Sequence, residues 1–403
     1  MRNLASEQYV FVDRTERASG HYENVNDYEY DPMLGSDIEA TVLVKWDNQR
    51  EHDDNLRALG RVGWDVARGH ALAPNPRDRH RYYGGYVVRT LLDHDILSRE
   101  TVTAQPALQP TGVATRQDGT TVYACGNRLL ASPDGDVNNV SATIDNPMFA
   151  RLHSVAFSED GNRILTASSS LDMLYELRVE DGSVAWEMDL WAETPYNTNI
   201  LGQSFYRSQK PETAGFLLNP SSFDLKDNEQ LRDAKCVVDD PSVYKWLGLA
   251  TALTPVFING VDYENDDVIL ATSFGKGEAW RIDREGWQIE VLAKGLGRPH
   301  GLHVNKGTGG YLLSDTLKEK VIFLDEDLGQ ERVLDLSQLG ERKEGIEKSK
   351  WLQYTTELEP GVYCAAMTSR QRLTLFSPNE KTRRDIAVDP DWGIQMVMPT
   401  GKA

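Results

Sequence analysis

Between residues 153 and 190, apolar and polar positions fall into four short runs: SVAF, RILTAS, MLYELRV and SVAWEMDL. Alternation of this kind marks strands with one or both faces buried. The first two runs are separated by Glu159-Asp160-Gly161-Asn162 and the last two by Glu180-Asp181-Gly182-Ser183. Asp-Gly pairs suit tight hairpins because glycine accepts the positive φ that such turns require. The pattern predicts a four-stranded antiparallel meander. The same order of strand, turn, buried strand, loop, strand, turn and outer strand returns at residues 112–144, 260–292, 301–335 and 355–388. Equivalent starts at Thr111, His153, Asn259, His300 and Tyr354 recur about forty residues apart, with one wider gap between His153 and Asn259.

A single meander cannot bury both faces, so such units must stack on one another. A ring of them is an all-β protein, a β-propeller of four-stranded blades around a central channel. The ends complete a sixth blade: residues 82–107 read as later strands without a first strand, and residues 392–398 as a lone first strand. Pairing them closes the ring with both termini and removes an open sheet edge. The wider gap, residues 191–252, lacks the meander pattern and reads as an insertion with a loop and a short helix; a degenerate sixth or seventh blade is the alternative. Residues 1–80 read as an extension packed on the ring, with the propeller at 81–403. The extension carries a strand at Glu39–Trp46 and a charged helix-like stretch at Asp53–Ala67.

Composition changes this picture little. Of 403 residues, 40% are hydrophobic and 26% charged, an ordinary globular balance. The net charge of −19, from 62 acidic and 43 basic residues, argues against nucleic acid or an anionic membrane as partner. The acidity is spread along the chain and reads first as solubility, then as salt adaptation, and last as a steering field for a cationic ligand. Three cysteines, Cys125, Cys236 and Cys364, without short spacings, argue against a disulfide framework or a cysteine zinc site. The N-terminus has no apolar signal core and no run spans a membrane, so the expected location is cytoplasmic, although a chain trimmed of its signal would look the same.

In GRPHGLHVNKGTGGYLLSDTLKEKVIFLDEDLG the chain resembles six-bladed propellers of the broad class holding NHL repeats, strictosidine-synthase-like and gluconolactonase-like proteins. The matching features are Pro299-His300-Gly301 before the innermost strand, Ser314-Asp315-Thr316 after the second, and Leu324-Asp325 in the third. The blade at 153–190 is similar to arylsulfotransferase-type blades in LHSVAFSEDGNRIL and GSVAWE. The resemblance covers roughly residues 110–390 in blade pattern only. It implies the fold, and it implies hydrolase, lyase, transferase or pure binding activity without choosing among them. Gluconolactonase-like enzymes hold a divalent cation with a glutamate, asparagines and an aspartate from several blades, and only Asn259 matches, loosely. Arylsulfotransferase-like enzymes use a central histidine outside the cytoplasm.

His153 and His300 occupy the same place in their blades, just before the innermost strand, where side chains of different blades converge on the channel rim. Two imidazoles there can hold a metal (Ca, Zn or Mg, with Asn259 as a third ligand) or act as catalytic bases. As structural residues they would instead hydrogen-bond neighbouring blade backbones. Thr111, Asn259, and Tyr354 or Thr355 fill the corresponding positions and are candidate substrate contacts. His303, three residues on, reads as structural. Asp172 and Asp315 follow second strands and read as loop aspartates that accept backbone N–H bonds. Lys276, between glycines in Ser273-Phe274-Gly275-Lys276-Gly277, can meet an anionic group. Gln203, Tyr206 and Arg207 in the insertion can cover the channel, although a plain surface excursion is the alternative. Trp186, Trp280 and Trp287 read as packing between blades. There is no GxSxG elbow, HExxH helix or CxxC pair.

Three functions fit: an enzyme of hydrolase or lyase type acting on a small molecule in the channel mouth, with or without a divalent metal; a scaffold binding a protein or peptide on one face; or a structural subunit of an assembly.

Overall fold

The computed structural model describes residues 9–15, 20–46, 84–97, 102–198, 204–207, 235–238, 254–307, 309–340 and 352–400, with backbone alone for 204–207 and 235–238. Six sheets of four or five strands stand in a ring. Blade one starts at Pro110–Thr115, blade two at Leu152–Phe157, blade three at Ile258–Asn265, blade four at His300–Val304, blade five at Leu352–Glu359 and blade six at Gly393–Pro399. Each of these is the innermost strand of its blade, and each touches the next around the ring. The protein is a six-bladed β-propeller. The Asp-Gly turns form as their chemistry requires, with Gly161 and Gly182 both at φ 69.

Blade six closes the ring with both termini, in an order the local pattern does not show. Gly393–Pro399 pairs with Glu39–Trp46, which pairs with Tyr86–Leu91, which pairs with Thr103–Pro106. Residues 82–107 therefore supply two of its strands and residues 39–46 supply the second. The chain before that strand runs along the outside of the ring. Val10–Asp13, His21–Asn24 and Glu29–Tyr30 add parallel fifth strands to the outer edges of blades three, four and five in turn. They blunt three edges that would otherwise present unpaired backbone groups.

Close approach of the innermost strands depends on small residues beside the axis. A Cβ on Gly112 would lie 2.8 Å from the Ser154 Cα of blade two, and one on Gly260 would lie 3.0 Å from the Gly301 N of blade four. The core lies between blades. Trp280 is fully buried there, with its ring stacked on Tyr196 at 5.6 Å. Trp186 lies under the Arg284 guanidinium and Trp287 against Tyr9, both toward the outer strands. Cys125 and Cys364 are buried free thiols, and burial pushes Cys125 up to about 12 and Cys364 higher still, so both are inert core residues.

The insertion after blade two begins with a helical turn, Leu190–Glu193, capped by Asp189. It also contains a parallel pair, Ser204–Arg207 with Lys235–Val238. The helix-like stretch at 53–67, the helix expected late in the insertion, and Gln203 lie outside the described residues, as do the side chains of Tyr206, Arg207 and Cys236.

Candidate functional site: the channel mouth

Every innermost strand breaks its ladder near its start. The register shifts between Pro110 and Gly112, Leu152 and Val155, Ile258 and Gly260, His300 and His303, Leu352 and Tyr354, and Ile394 and Met396. A bulge re-aims the extra residue out of the ladder. The residues at or beside these bulges are Thr111, His153, Asn259, His300, Gln353 and Gln395, all polar and all buried. His153, inside its bulge, and His300, the ladder residue just before one, both stand at the start of the innermost strand of their blade.

In blade five the register moves the expected position by one residue. The bulged residue is Gln353, whereas Tyr354 and Thr355 lie in the seam with blade four. Tyr354 stacks on His303 at 5.5 Å, and its hydroxyl lies 3.4 Å from His303 Nδ1; Thr355 Oγ1 accepts from Ser314. The bulge between His300 and His303 also cancels simple strand alternation, so that rule does not relate their faces. Thr111 donates to the Ala124 and Leu152 carbonyls and so ties blade one to blade two.

The two imidazoles are joined by an aromatic chain. His153 meets Phe257 edge-on at 5.3 Å, Phe257 lies 5.4 Å from Phe274, and Phe274 lies 5.5 Å from His300. Three cations border the chain. Lys45, the penultimate residue of its strand in blade six, places Nζ 3.2 Å from His153 Nε2 and 4.8 Å from the Trp46 ring. Arg151 lies over Phe257 at 5.7 Å, and Arg298 over Phe274 at 5.1 Å.

These contacts fix the state of His153. An ammonium only donates, so Nε2 accepts from Lys45, and Nδ1 carries the hydrogen it gives to the Arg151 carbonyl at 3.3 Å. Burial, then Lys45, Arg151 and His300, hold His153 well below its ordinary value. Burial and Lys45 push His300 down to about 3; its Nδ1 meets Thr316 Oγ1 at 2.7 Å. Both rings are neutral near pH 7. Because the folded value lies below the unfolded one, the unfolded chain binds the extra proton on acidification. Stability is therefore expected to fall as pH drops from about 6.5 toward about 3. Denaturant titrations at several pH values should show a shallower acid loss in His300→Gln; an unchanged slope would remove His300 as its source.

The entrances to blades one to four share a strained backbone. Gln109, Arg151 and Phe257 stand two residues before the bulged Thr111, His153 and Asn259, and Arg298 stands two before His300; their φ are 47, 56, 46 and 59. A left-handed residue other than glycine costs about 1–2 kcal/mol, and Gln109 and Arg298 also precede prolines, which disfavour helical backbone. The cation–π contacts of Arg151 and Arg298 return only about 0.5–1 kcal/mol at such accessible sites. Glycine would relieve the strain, yet large side chains occupy all four places. Strain of this kind gathers where side-chain placement matters to function.

The set His153, His300 and Asn259 fits a divalent cation poorly. Lys45 occupies the free lone pair of His153, and Asn259 Oδ1 already accepts from Thr272 at 2.9 Å. Among the described residues no group of three or more His, Cys, Asp or Glu is arranged to hold a metal ion. The Asn259 amide nitrogen, by contrast, is a buried donor without a partner.

Lys276 donates to the Thr198 carbonyl at 2.8 Å and lies over Tyr196, so it is tied to the start of the insertion. Asp172 accepts from Trp191 Nε1 and from the Val256 and Ile258 amides, pinning blade two to blade three. Asp315 accepts from the Gly297 amide. The blade pattern alone does not point to Lys45, Arg151, Arg298, Gln353 or Gln395. Aligning the inner-strand openings PTGV, LHSV, INGV, PHGL and LQYT exposes Gln353, and two residues upstream it exposes both arginines.

No protein-family model matches the chain, and no curated protein matches it. Solved structures do. The chain is similar to a structure of a nidogen/laminin complex at 10% identity and TM-score 0.50, covering 90% of this chain and 99% of that one. It is also similar to a protein of unknown function from Bacteroides caccae (10% identity, TM-score 0.45, covering 78% and 94%). A third is a streptogramin B lyase (11% identity, TM-score 0.41, covering 70% and 83%). At such identities the likeness concerns the fold alone. No helix among the described residues is long and apolar enough to cross a membrane.

Proposed function

We propose that the protein takes up a small organic molecule at the channel mouth and acts on it by acid–base chemistry of the hydrolase or lyase kind. The observation that carries this reading is the pairing of two buried, neutral imidazoles at the starts of innermost strands, with the Lys45 ammonium on His153 Nε2. A neutral imidazole can take a proton from a bound molecule, and an ammonium can supply one. The ammonium is Lys45, held by His153, whose Nε2 lone pair it occupies and whose Nδ1 carries the hydrogen; the imidazole that can take a proton is His300, across Phe257 and Phe274. The Phe257 and Phe274 rings fill the path between the two imidazoles, and beside such apolar groups polar interactions are stronger than in water.

The test is a panel of lactones, esters and β-substituted acids incubated with the purified protein near neutral pH, with products read by mass spectrometry and binding by thermal melts. At least one compound should be converted. His153→Ala and Lys45→Ala should lower that conversion by about 10²–10⁴-fold, the usual share of acid–base catalysis. The alternative is a face that docks a protein chain; one similar structure is of a complex between two proteins. If nothing in the panel is bound or converted, and both variants simply melt lower, the mouth residues hold the fold and the docking reading replaces this one.

A further inference from the structure

The six blades do not treat their outer edges alike. Blades three, four and five carry the parallel fifth strands Val10–Asp13, His21–Asn24 and Glu29–Tyr30. Blades six, one and two end, among the described residues, at four strands. Two of those three edges are guarded. The outer strand of blade six, Thr103–Pro106, ends in a proline, which has no N–H to offer a ladder. The outer strand of blade two, Val184–Asp189, carries Glu187 and Asp189, and the Val184 carbonyl accepts from Arg178 Nη1 at 3.4 Å. Blade one has neither device. Its outer strand is Ala142–Asp145, and residues 138–144 contain no charge and no proline. Residues 138–143 are all exposed, Val140 at 38%. An open, uncharged edge is a template for another strand.

The covered edges show what such an edge accepts. Four residues of extended chain pair in parallel with residues 288–291 of blade three, and four more with residues 332–335 of blade four. Opposite charges fasten both: Arg14 donates to Glu290 at 3.1 Å, and Arg332 lies 3.4 Å from Glu23. At blade one the charges bordering the edge are acidic. Asp134 and Asp136 lie in the loop that leads into the strand. The turn holding Glu180 and Asp181 packs against Ile144, since a Cβ on Gly182 would lie 3.2 Å from Ile144 Cγ2. The arginines nearby are engaged, Arg128 with Asp145 at 3.6 Å and Arg178 with Ser183 Oγ at 3.0 Å. The net charge of −19 on the whole chain acts in the same direction, and it disfavours a second copy of the chain at this edge.

We propose that the outer edge of blade one is a docking site for an extended, basic segment of another polypeptide, which adds to Ala142–Asp145 as a fifth strand. Main-chain hydrogen bonds to the open edge supply the affinity, and lysine or arginine side chains facing Glu180 and Asp181 supply the selectivity. Val140 and Ile144 offer apolar contact to alternate side chains of the incoming strand. The site is separate from the channel mouth and does not depend on what is bound there.

The probes are three dye-labelled, amidated peptides, read by fluorescence anisotropy with the full chain at low salt. One is Lys-Val-Thr-Val-Lys-Val, one is its acidic counterpart Glu-Val-Thr-Val-Glu-Val, and one is Lys-Pro-Thr-Pro-Lys-Pro, which keeps the charge but cannot build a ladder. The first is expected to bind saturably and to slow amide hydrogen exchange across residues 138–145, and the other two to bind at least about tenfold more weakly. Thr143→Lys places a like charge on the exposed edge and should weaken the first peptide by about tenfold or more while the melting temperature stays level. If that variant melts lower, Glu180→Lys, on the exposed turn, carries the same test and should weaken binding about two- to fivefold. The proposal is overturned by no saturable binding of the first peptide, by equal binding of the proline peptide, by binding that leaves residues 138–145 unprotected, or by variants that bind as the parent does. A dimer in sedimentation that Thr143→Lys abolishes would give the edge to a second copy and overturn the basic partner.

Discussion

Removing residues 389–403 is expected to abolish the cooperative fold. Gly393–Pro399 is the innermost strand of blade six and the sole partner on that side of Glu39–Trp46. Its side chains serve two seams at once. Trp392, Ile394 and Val397 join the core shared by blades five and six, and Met396 joins the one containing Val113 and Tyr123 of blade one. Burying a large apolar side chain is worth about 1.5–3 kcal/mol. Four such side chains contribute on the order of 6–12 kcal/mol, as much as the whole stability of a typical domain, about 5–15 kcal/mol. The truncated chain should be insoluble, or should bind a hydrophobic dye and melt without a sharp transition. Ile394→Ala with Met396→Ala is the milder form and should cost about 2–5 kcal/mol per site. A soluble truncation with the parent's melting curve would show that the ring closes without this strand.

What the sequence made legible follows the range of the interactions that encode it. The meander of blade two is local: four alternating runs and two Asp-Gly turns lie within forty residues, and each turn requires the positive φ that Gly161 and Gly182 show. The matching places of His153 and His300 are legible because a repeat copies position as well as pattern. The membership of Glu39–Trp46 in blade six was hidden because EATVLVKW declares a strand but not its partner, which lies at the far end of the chain. Val10–Asp13 and His21–Asn24 were hidden for another reason. A parallel edge strand of four residues needs only one free ladder, and that leaves no period to read. The cations at the mouth were hidden because Lys45 enters from a different blade and because nothing marks an arginine as left-handed. Sequence logic expects glycine there, and its absence is the signal. The sequence points to Tyr354 and not to Gln353 because LQYT carries no glycine to mark the bulge, and a shift of one residue exchanges the two faces.

Loss of either partner in the Glu319–Arg370 pair should be the most damaging single substitution away from the axis. Arg370 donates Nε to Glu319 Oε1 at 3.1 Å and Nη2 to Oε2 at 2.8 Å, a forked geometry between blades four and five. Its remaining donors reach the Ser337 and Gly340 carbonyls at 2.7 and 2.5 Å. The ion pair is closed to water, with side-chain exposures of 2% and 0%. A buried pair of this kind returns little net stability relative to apolar residues, because both charges had to leave water. Removing one member is a different matter. Arg370→Ala takes the forked partner from the buried Glu319 carboxylate and the donors from two carbonyls in a dry seam, at a cost of about 3–5 kcal/mol. Glu319→Ala should cost as much, since the guanidinium is then stranded; the left-handed backbone at 319, φ 50, adds no rescue from alanine. The cycle is completed by Arg370→Met with Glu319→Leu, which removes both charges of the pair together. If the pair acts as described, the double variant is more stable than either single one, and the coupling measured by denaturant unfolding is large. Singles that cost under about 1 kcal/mol, as surface ion pairs do, would show that water reaches this seam and that the two blades are held together by their apolar cores alone.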